Sequence, residues 1–183
     1  RWSLDTSCAL LTRNFSNGLR LFERGLNPAV TASAEDEGGT APLANLAGTS
    51  KGNGIRISGF DRNAQEDARR LTWAKPARIM LDWNSATLPG NAVILLNIQT
   101  GARPRSQISL TPLGGDPGKS VDLTSSFELA SGKGWRTLRV PLACLGNARP
   151  NGVILNANGP FEFELDSLGM VSEAAIVDCK GPF

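Results

Sequence analysis

The chain contains no histidine and no tyrosine. Without histidine, imidazole acid–base chemistry, histidine-bearing metal sites and a Ser-His-Asp triad are all excluded. Cysteine is scarce: Cys8, Cys144 and Cys179 form no C-x-x-C pair, which disfavours zinc ribbons and thioredoxin-type redox chemistry. A nucleophilic cysteine would also lack its usual imidazole partner. Charge of one sign is missing too. The 19 basic residues are interspersed with 17 acidic ones, so there is no concentrated basic face for nucleic acid or an anionic membrane surface. No apolar run reaches the roughly 18 residues that a membrane-spanning helix needs. Aromatic residues make up 6% of the chain, a poor supply for a stand-alone sugar-stacking platform. Taken alone, the chain is a weak candidate for an enzyme.

What is present is ordinary for a folded domain: 183 residues, 40% hydrophobic and 20% charged, enough to bury a core without staples. One domain over 1–183 is expected, with 1–17 as an N-terminal segment or linker. The chain begins at Arg1 without an initiator Met or a signal peptide, so it is expected to be a piece of a longer protein.

Short strand-like runs recur between Gly, Pro, Asn and Asp. They are "GLRLFER" (18–24), "GIRISGF" (54–60), "RRLTWA" (69–74), "ARIMLDW" (77–83) and "AVILLNIQT" (92–100), followed by "SQISLTPL" (106–113), "SVDLTSSF" (120–127), "WRTLRVPL" (135–142), "PFEFELDSL" (160–168) and "EAAIVD" (173–178). Ile55 and Ile57, then Leu138, Val140 and Leu142, then Phe161, Phe163 and Leu165 recur with period two, the pattern of a strand with one buried face. "VILLNI" is apolar nearly throughout, as in a central strand covered on both sides. Turn chemistry falls between the runs in "LPGN", "LGGDPGK", "SGKG" and "NARPNG". The fold class that follows is all-β, a two-sheet antiparallel β-sandwich of jelly-roll type. The small, polar, Gly-rich stretch 31–54 is expected to be a long surface loop.

Four segments, "FDRNAQEDARRLTW", "SVDLTSSF", "GWRTLRVPLACL" and "GPFEFELDSLG", follow one another in an order that resembles a known family. This is the C-terminal galactose-binding-like domain of ExoP-type bacterial β-glucan glucohydrolases, of glycoside hydrolase family 3. The resemblance runs from about residue 19 to 178, and "AQEDARRLTW" (64–73) is its most specific element. It implies a non-catalytic accessory domain of a β-glucosidase that removes glucose from β-glucans and cello-oligosaccharides in the periplasm or outside the cell. The partners it implies are the catalytic domains of the same parent chain and β-glucan oligosaccharides. No catalytic residue carries over, because nothing here matches the catalytic motifs. The tail "DCKGPF" is not an element of the family.

Gln65, Glu66 and Asp67 have two readings. They can be a turn capped by Asp61 or Asn63, with acids at its N-terminal end. They can also form a loop projecting toward a neighbouring catalytic domain, where the Gln65 amide donates to and accepts from sugar hydroxyls and the acids bind hydroxyls or an interdomain arginine. Asp61, Glu66, Asp67, Asp82 and Asp166 offer carboxylates for a glycosidase pair, but 17 acids supply such pairs by chance. No cofactor is called for, although a structural calcium is an option, with Asp61, Asp67 and Asp178 as candidate oxygen ligands. Trp73 and Trp83, at strand ends, belong either to the core or to a sugar-stacking rim, while Trp135 by the resemblance belongs to the core. Cys8 and Cys179 lie near termini that are often close in sandwich domains, so a Cys8–Cys179 disulfide is a candidate, and Cys144 reads as a buried apolar residue. Two other functions stay open: an independent carbohydrate-binding module, and a purely structural or oligomerisation sandwich.

Overall fold

The computed structural model describes residues 18–84, 86, 88–114, 119–146, 150–173 and 178–183. Its strands are β1 (Leu19–Glu23), β2 (Thr31–Asp36), β3 (Gly39–Pro42), β4 (Gly48–Thr49), β5 (Ile55–Phe60), β6 (Ala68–Trp73) and β7 (Ala77–Asp82). They continue with β8 (Ala92–Gln99), β9 (Ile108–Leu113), β10 (Val121–Asp122), β11 (Arg136–Pro141), β12 (Gly152–Ala157) and β13 (Phe161–Ser172), and one helix, α1 (Thr124–Ala130), lies between β10 and β11. Two antiparallel sheets result. One runs β11-β8-β13-β6-β5-β4, with β1 also paired to β13, and the other runs β10-β9-β12-β7-β2-β3. The all-β sandwich expected from period-two patterning is the architecture found.

The core lies between the sheets. Ile55, Ile57, Leu71, Ile94, Leu96, Ile98, Leu138 and Val140 of the first sheet and Ile79, Leu81, Leu110, Val153 and Leu155 of the second are all buried in one cluster. Its centre is aromatic. Trp73 stacks on Phe163 at 5.9 Å, and Phe127 meets Phe161 and Phe163 edge-on at 5.0 and 5.1 Å, the geometries that ring quadrupoles favour.

Three expectations change. Stretch 31–54 is no loop: β2 and β3 form a hairpin on the edge of the second sheet, and Ala32, Ala34 and Ala41 turn inward. Their small side chains carry too weak an alternation of hydrophobicity to announce a strand. The turn after it is held by Asp36, whose carboxylate accepts hydrogen bonds from the Ser50 hydroxyl (2.6 Å) and the Gly54 and Gly38 N–H groups. Segment 120–127 is a two-residue strand and the start of α1. Asp122 Oδ1 accepts the Thr124 N–H at 2.8 Å, an Asx turn that bends the chain out of the sheet and swings Phe127 into the core. The run 160–168 extends to Ser172 as β13, which divides one edge between β6 and β1. The strand expected at 173–178 lies mostly outside the described residues.

The cysteine pairing also changes. Cys179 is bonded to Cys144, with Cα atoms 5.3 Å apart, within the span a disulfide bridges. Cys144 sits in the 3₁₀ turn that follows β11, and the bond ties the C-terminal residues to it. Phe183 packs on the core and its N–H donates to Ser126 Oγ at 2.8 Å. Cys8 lies outside the described residues.

Candidate functional site

The Gln65-Glu66-Asp67 tripeptide closes the turn between β5 and β6. Asp67 organises that turn: its carboxylate accepts the N–H groups of Arg62, Asn63 and Ala64 at 2.7, 3.0 and 3.0 Å. Burial by itself would raise this carboxyl, but the backbone donors outweigh it and hold Asp67 below the ordinary aspartate value. Asp61 Oδ1 takes the Glu66 N–H at 2.6 Å, and Arg69 donates to the carbonyls of Glu66 and Ala68 at 2.8 and 3.0 Å. Glu66 sits in the left-handed region at φ 52, and its side chain folds back over Gly59, where a Cβ would lie 2.6 Å from Glu66 Cγ. Of the three residues, Gln65 alone is exposed without a hydrogen-bonding or ionic partner among the described residues. The capping reading holds for Asp67 and Asp61, whose carboxylates take the backbone N–H groups of the turn, and Gln65 is exposed beside them.

Behind this turn lies the outer face of the seven-stranded sheet, which presents Arg56, Ser58 and Phe60 from β5, Arg70 and Thr72 from β6, Glu162 and Glu164 from β13, and Asn97 and Gln99 from β8. Phe60 and Trp135, the latter just before β11, belong to strands four positions apart in the sheet order, yet their ring centroids are 6.4 Å apart. The sheet must curl for them to meet, so this face is concave. A charged stack fills the end nearest the turn. The Arg62 guanidinium lies 4.4 Å above the Trp135 ring and the Arg70 guanidinium 4.9 Å above Phe60. Arg62 pairs with Asp166, which also accepts from Asn97 Nδ2 at 3.1 Å. Arg70 pairs with Glu164 at 3.0 Å. A bulge in β13 between Leu165 and Ser167 turns Asp166 onto this face, the re-aiming that bulges commonly perform. Burial raises the Asp166 carboxyl, and the Arg62 charge opposes that rise.

At the opposite end of β6 the same face opens into a cleft of about 650 Å³, lined by Thr72, Gln99, Arg103, Arg105, Glu162 and Glu164, with Trp73, Phe161, Pro104 and Pro160 among its walls.

Other expected site residues are placed differently. Trp73 and Trp83 are each 1% exposed, and their indole N–H groups donate to the carbonyls of Ala77 (3.1 Å) and Pro150 (2.9 Å), so neither forms a stacking rim. Trp135, expected in the core, is half-exposed and covered by Arg62. Among the candidate glycosidase carboxylates, Asp82 ends β7 in the other sheet, while Asp67 and Asp166 are both engaged as described. Among the described residues, no group of three or more His, Cys, Asp or Glu is placed to share a metal ion, and the Asp178 carboxylate accepts the Lys180 N–H. Sequence reasoning missed Phe60, Arg62, Arg70, Trp135, Arg103 and Arg105. The alternation of charges at Arg70, Glu162 and Glu164 on predicted strands was the available signal.

Comparison with known proteins agrees with the curled sandwich. The Exop_C family, described as galactose-binding domain-like, matches residues 33–176. The chain belongs to this family. Two solved structures carry the Exop_C-like fold. The exo-1,3/1,4-β-glucanase (ExoP) from a Pseudoalteromonas species superposes with a TM-score of 0.74 at 18% identity, covering 88% of this chain and 21% of that one. The extra C-terminal domain of the same glucanase gives a TM-score of 0.71 at 19% identity, covering 86% of this chain and 94% of that one. This Exop_C-family chain thus spans about a fifth of the whole glucanase's length. No curated protein sequence matches it.

Proposed function

We propose that this chain is a non-catalytic accessory domain of a glycoside hydrolase acting on β-glucans and cello-oligosaccharides, a β-glucosidase of glycoside hydrolase family 3. In this reading it packs against the catalytic domains of the parent chain and lends them the β5–β6 turn. The observation that carries the reading is the contrast within that turn. Asp67 locks the backbone with three hydrogen bonds, while Gln65 at the tip is left exposed and unpartnered among the described residues. A rigid turn presenting one amide is suited to recognition of a sugar hydroxyl supplied by a neighbouring domain, because little ordering entropy is lost on contact. The membership in the Exop_C family and the fold shared with a C-terminal domain of a glucanase support the same context. The Cys144–Cys179 bond supports a periplasmic or secreted location, since disulfides persist in oxidising compartments.

The independent-module reading has less support, because the two tryptophans it would rely on are buried and Trp135 is capped by a guanidinium. The test is Gln65→Ala in the intact parent enzyme, assayed on neutral cello- and laminari-oligosaccharides. A lost hydrogen bond of about 1 kcal/mol lowers kcat/KM about fivefold. Unchanged kcat and KM would leave a purely structural sandwich, and saturable binding of those neutral sugars to the isolated chain would make it a binding module instead.

A further inference from the structure

The cleft at the other end of the sheet face is separate from the Gln65 turn and does not depend on the reading above. Its rim is the β8–β9 connection, whose backbone is pinned at several points. The Thr100 hydroxyl shares its one proton between the carbonyls of Ala102 (3.1 Å) and Glu162 (3.3 Å), and Ser106 Oγ donates to the Pro160 carbonyl at 2.7 Å. The Gly132 N–H closes on the Thr100 carbonyl at 2.9 Å. Pro104 fixes one φ between Arg103 and Arg105. Both arginines line the cleft, both are exposed, and neither has a hydrogen-bonding or ionic partner among the described residues.

The carboxylates in the cleft are already occupied. Glu164 is held by Arg70 at 3.0 Å, and Glu162 accepts the Thr72 hydroxyl at 2.8 Å with Arg70 4.0 Å away. The positive charge of Arg103 and Arg105 is therefore not neutralised from across the cleft. A guanidinium fork matches a carboxylate bidentately. The remaining lining, Gln99 and Thr72 with the spare oxygens of Glu162 and Glu164, suits hydroxyl groups, and Pro104 and Pro160 supply an apolar wall for sugar C–H faces, with the buried rings of Trp73 and Phe161 behind it. The volume of about 650 Å³ lies within the range of small-ligand sites and exceeds what a lone anion fills.

We propose that this cleft binds an acidic oligosaccharide, with the carboxylate of a uronic acid unit seated on Arg103 and Arg105 and an adjoining sugar on Gln99, Glu162 and the apolar wall. A docked acidic protein segment is the competing occupant. A cleft of about 650 Å³ favours a ligand of disaccharide size over a flat protein contact.

Calorimetric titration of the chain with a disaccharide of glucuronic acid β-1,4-linked to glucose tests this, beside cellobiose, inorganic sulfate and tetraglutamate as probes. Saturable binding of the acidic disaccharide is expected, at least tenfold tighter than each of the other three. The affinity should weaken as salt rises and fall at least tenfold in the Arg103→Gln/Arg105→Gln variant. Amide shifts in the wild-type chain should centre on Thr72, Gln99, Gly101 and Glu162, which keeps the test valid should the variant misfold. Equal affinity for cellobiose removes the acidic specificity, and equal affinity for sulfate reduces the cleft to an ion site. Preference for tetraglutamate makes it a protein-docking surface, while an unaffected variant or shifts confined to residues 61–67 place the ligand elsewhere. Any of these overturns the proposal without bearing on Gln65 kinetics in the parent enzyme.

Discussion

The two ends of one concave sheet face use the same residue types for opposite purposes. Near the β5–β6 turn both arginines of the face are spent internally: Arg62 on Asp166 and Trp135, Arg70 on Glu164 and Phe60. Beyond Thr72 the face opens, and Arg103 and Arg105 stand exposed on a pinned loop. What separates the ends is whether each guanidinium finds a carboxylate or ring within reach. A satisfied cluster stiffens the fold, and an unsatisfied one on a rigid frame is free to recognise something else.

The largest expected effect is at the closed end. Arg62→Ala strands the Asp166 carboxylate, which is 5% exposed, and breaking such a buried pair costs about 3 kcal/mol. The deficit has a defined pH dependence. Asp166 is already raised by burial and rises further without Arg62, so the folded state holds its proton more tightly than the unfolded chain. The deficit is therefore greatest at neutral pH and shrinks as pH falls toward the ordinary value of 3.8. Urea denaturation at several pH values measures this, and a deficit independent of pH would break the assignment. Acrylamide quenching should also show Trp135 more accessible in the variant than in the wild type.

Next is Asp67→Asn, which cannot accept all three backbone donors and is expected to lose about 2 kcal/mol. Because folding lowers the Asp67 carboxyl, its contribution is complete above the ordinary value of 3.8 and is lost as pH falls through the lower folded value. Wild type and variant should then converge in strong acid, and curves that stay parallel there would contradict the capping role. Trp135→Ala removes one half-exposed ring and its cation contact, and about 1 kcal/mol is expected, read as a small shift in the urea midpoint at unchanged m-value. The smallest effect belongs to the open end. Arg103→Gln/Arg105→Gln should change stability by less than about 0.5 kcal/mol, and a larger loss would mean that these arginines, like Arg62, serve the fold.

Much of the fold was readable along the chain because a half-buried strand must alternate, as Phe161, Phe163 and Leu165 do. The β2–β3 hairpin was not, since alanines alternating with Thr31, Ser33 and Glu35 give little hydrophobic contrast. Segment 120–127 misled for a related reason: its apolar residues alternate, and the Asx turn at Asp122 that redirects it depends on one side-chain oxygen. Within the candidate site, the importance of 65–67 was visible as an unusual cluster. The division of labour inside it was not, because Asp67 is distinguished from Gln65 only by which backbone N–H groups it meets.

The sequence by itself determined the class of fold, the absence of imidazole chemistry and the resemblance to a galactose-binding-like family, since these rest on composition and local order. Only the tertiary structure decided that Cys179 pairs with Cys144, that Trp73 and Trp83 are interior while Trp135 is half-exposed, and that one face has a closed and an open end. The physical reason is the same in each case. Residues far apart along the chain, such as Arg62, Trp135 and Asp166, become neighbours through strand order and sheet curl, and neither is encoded in the local periodicity that a single sequence displays.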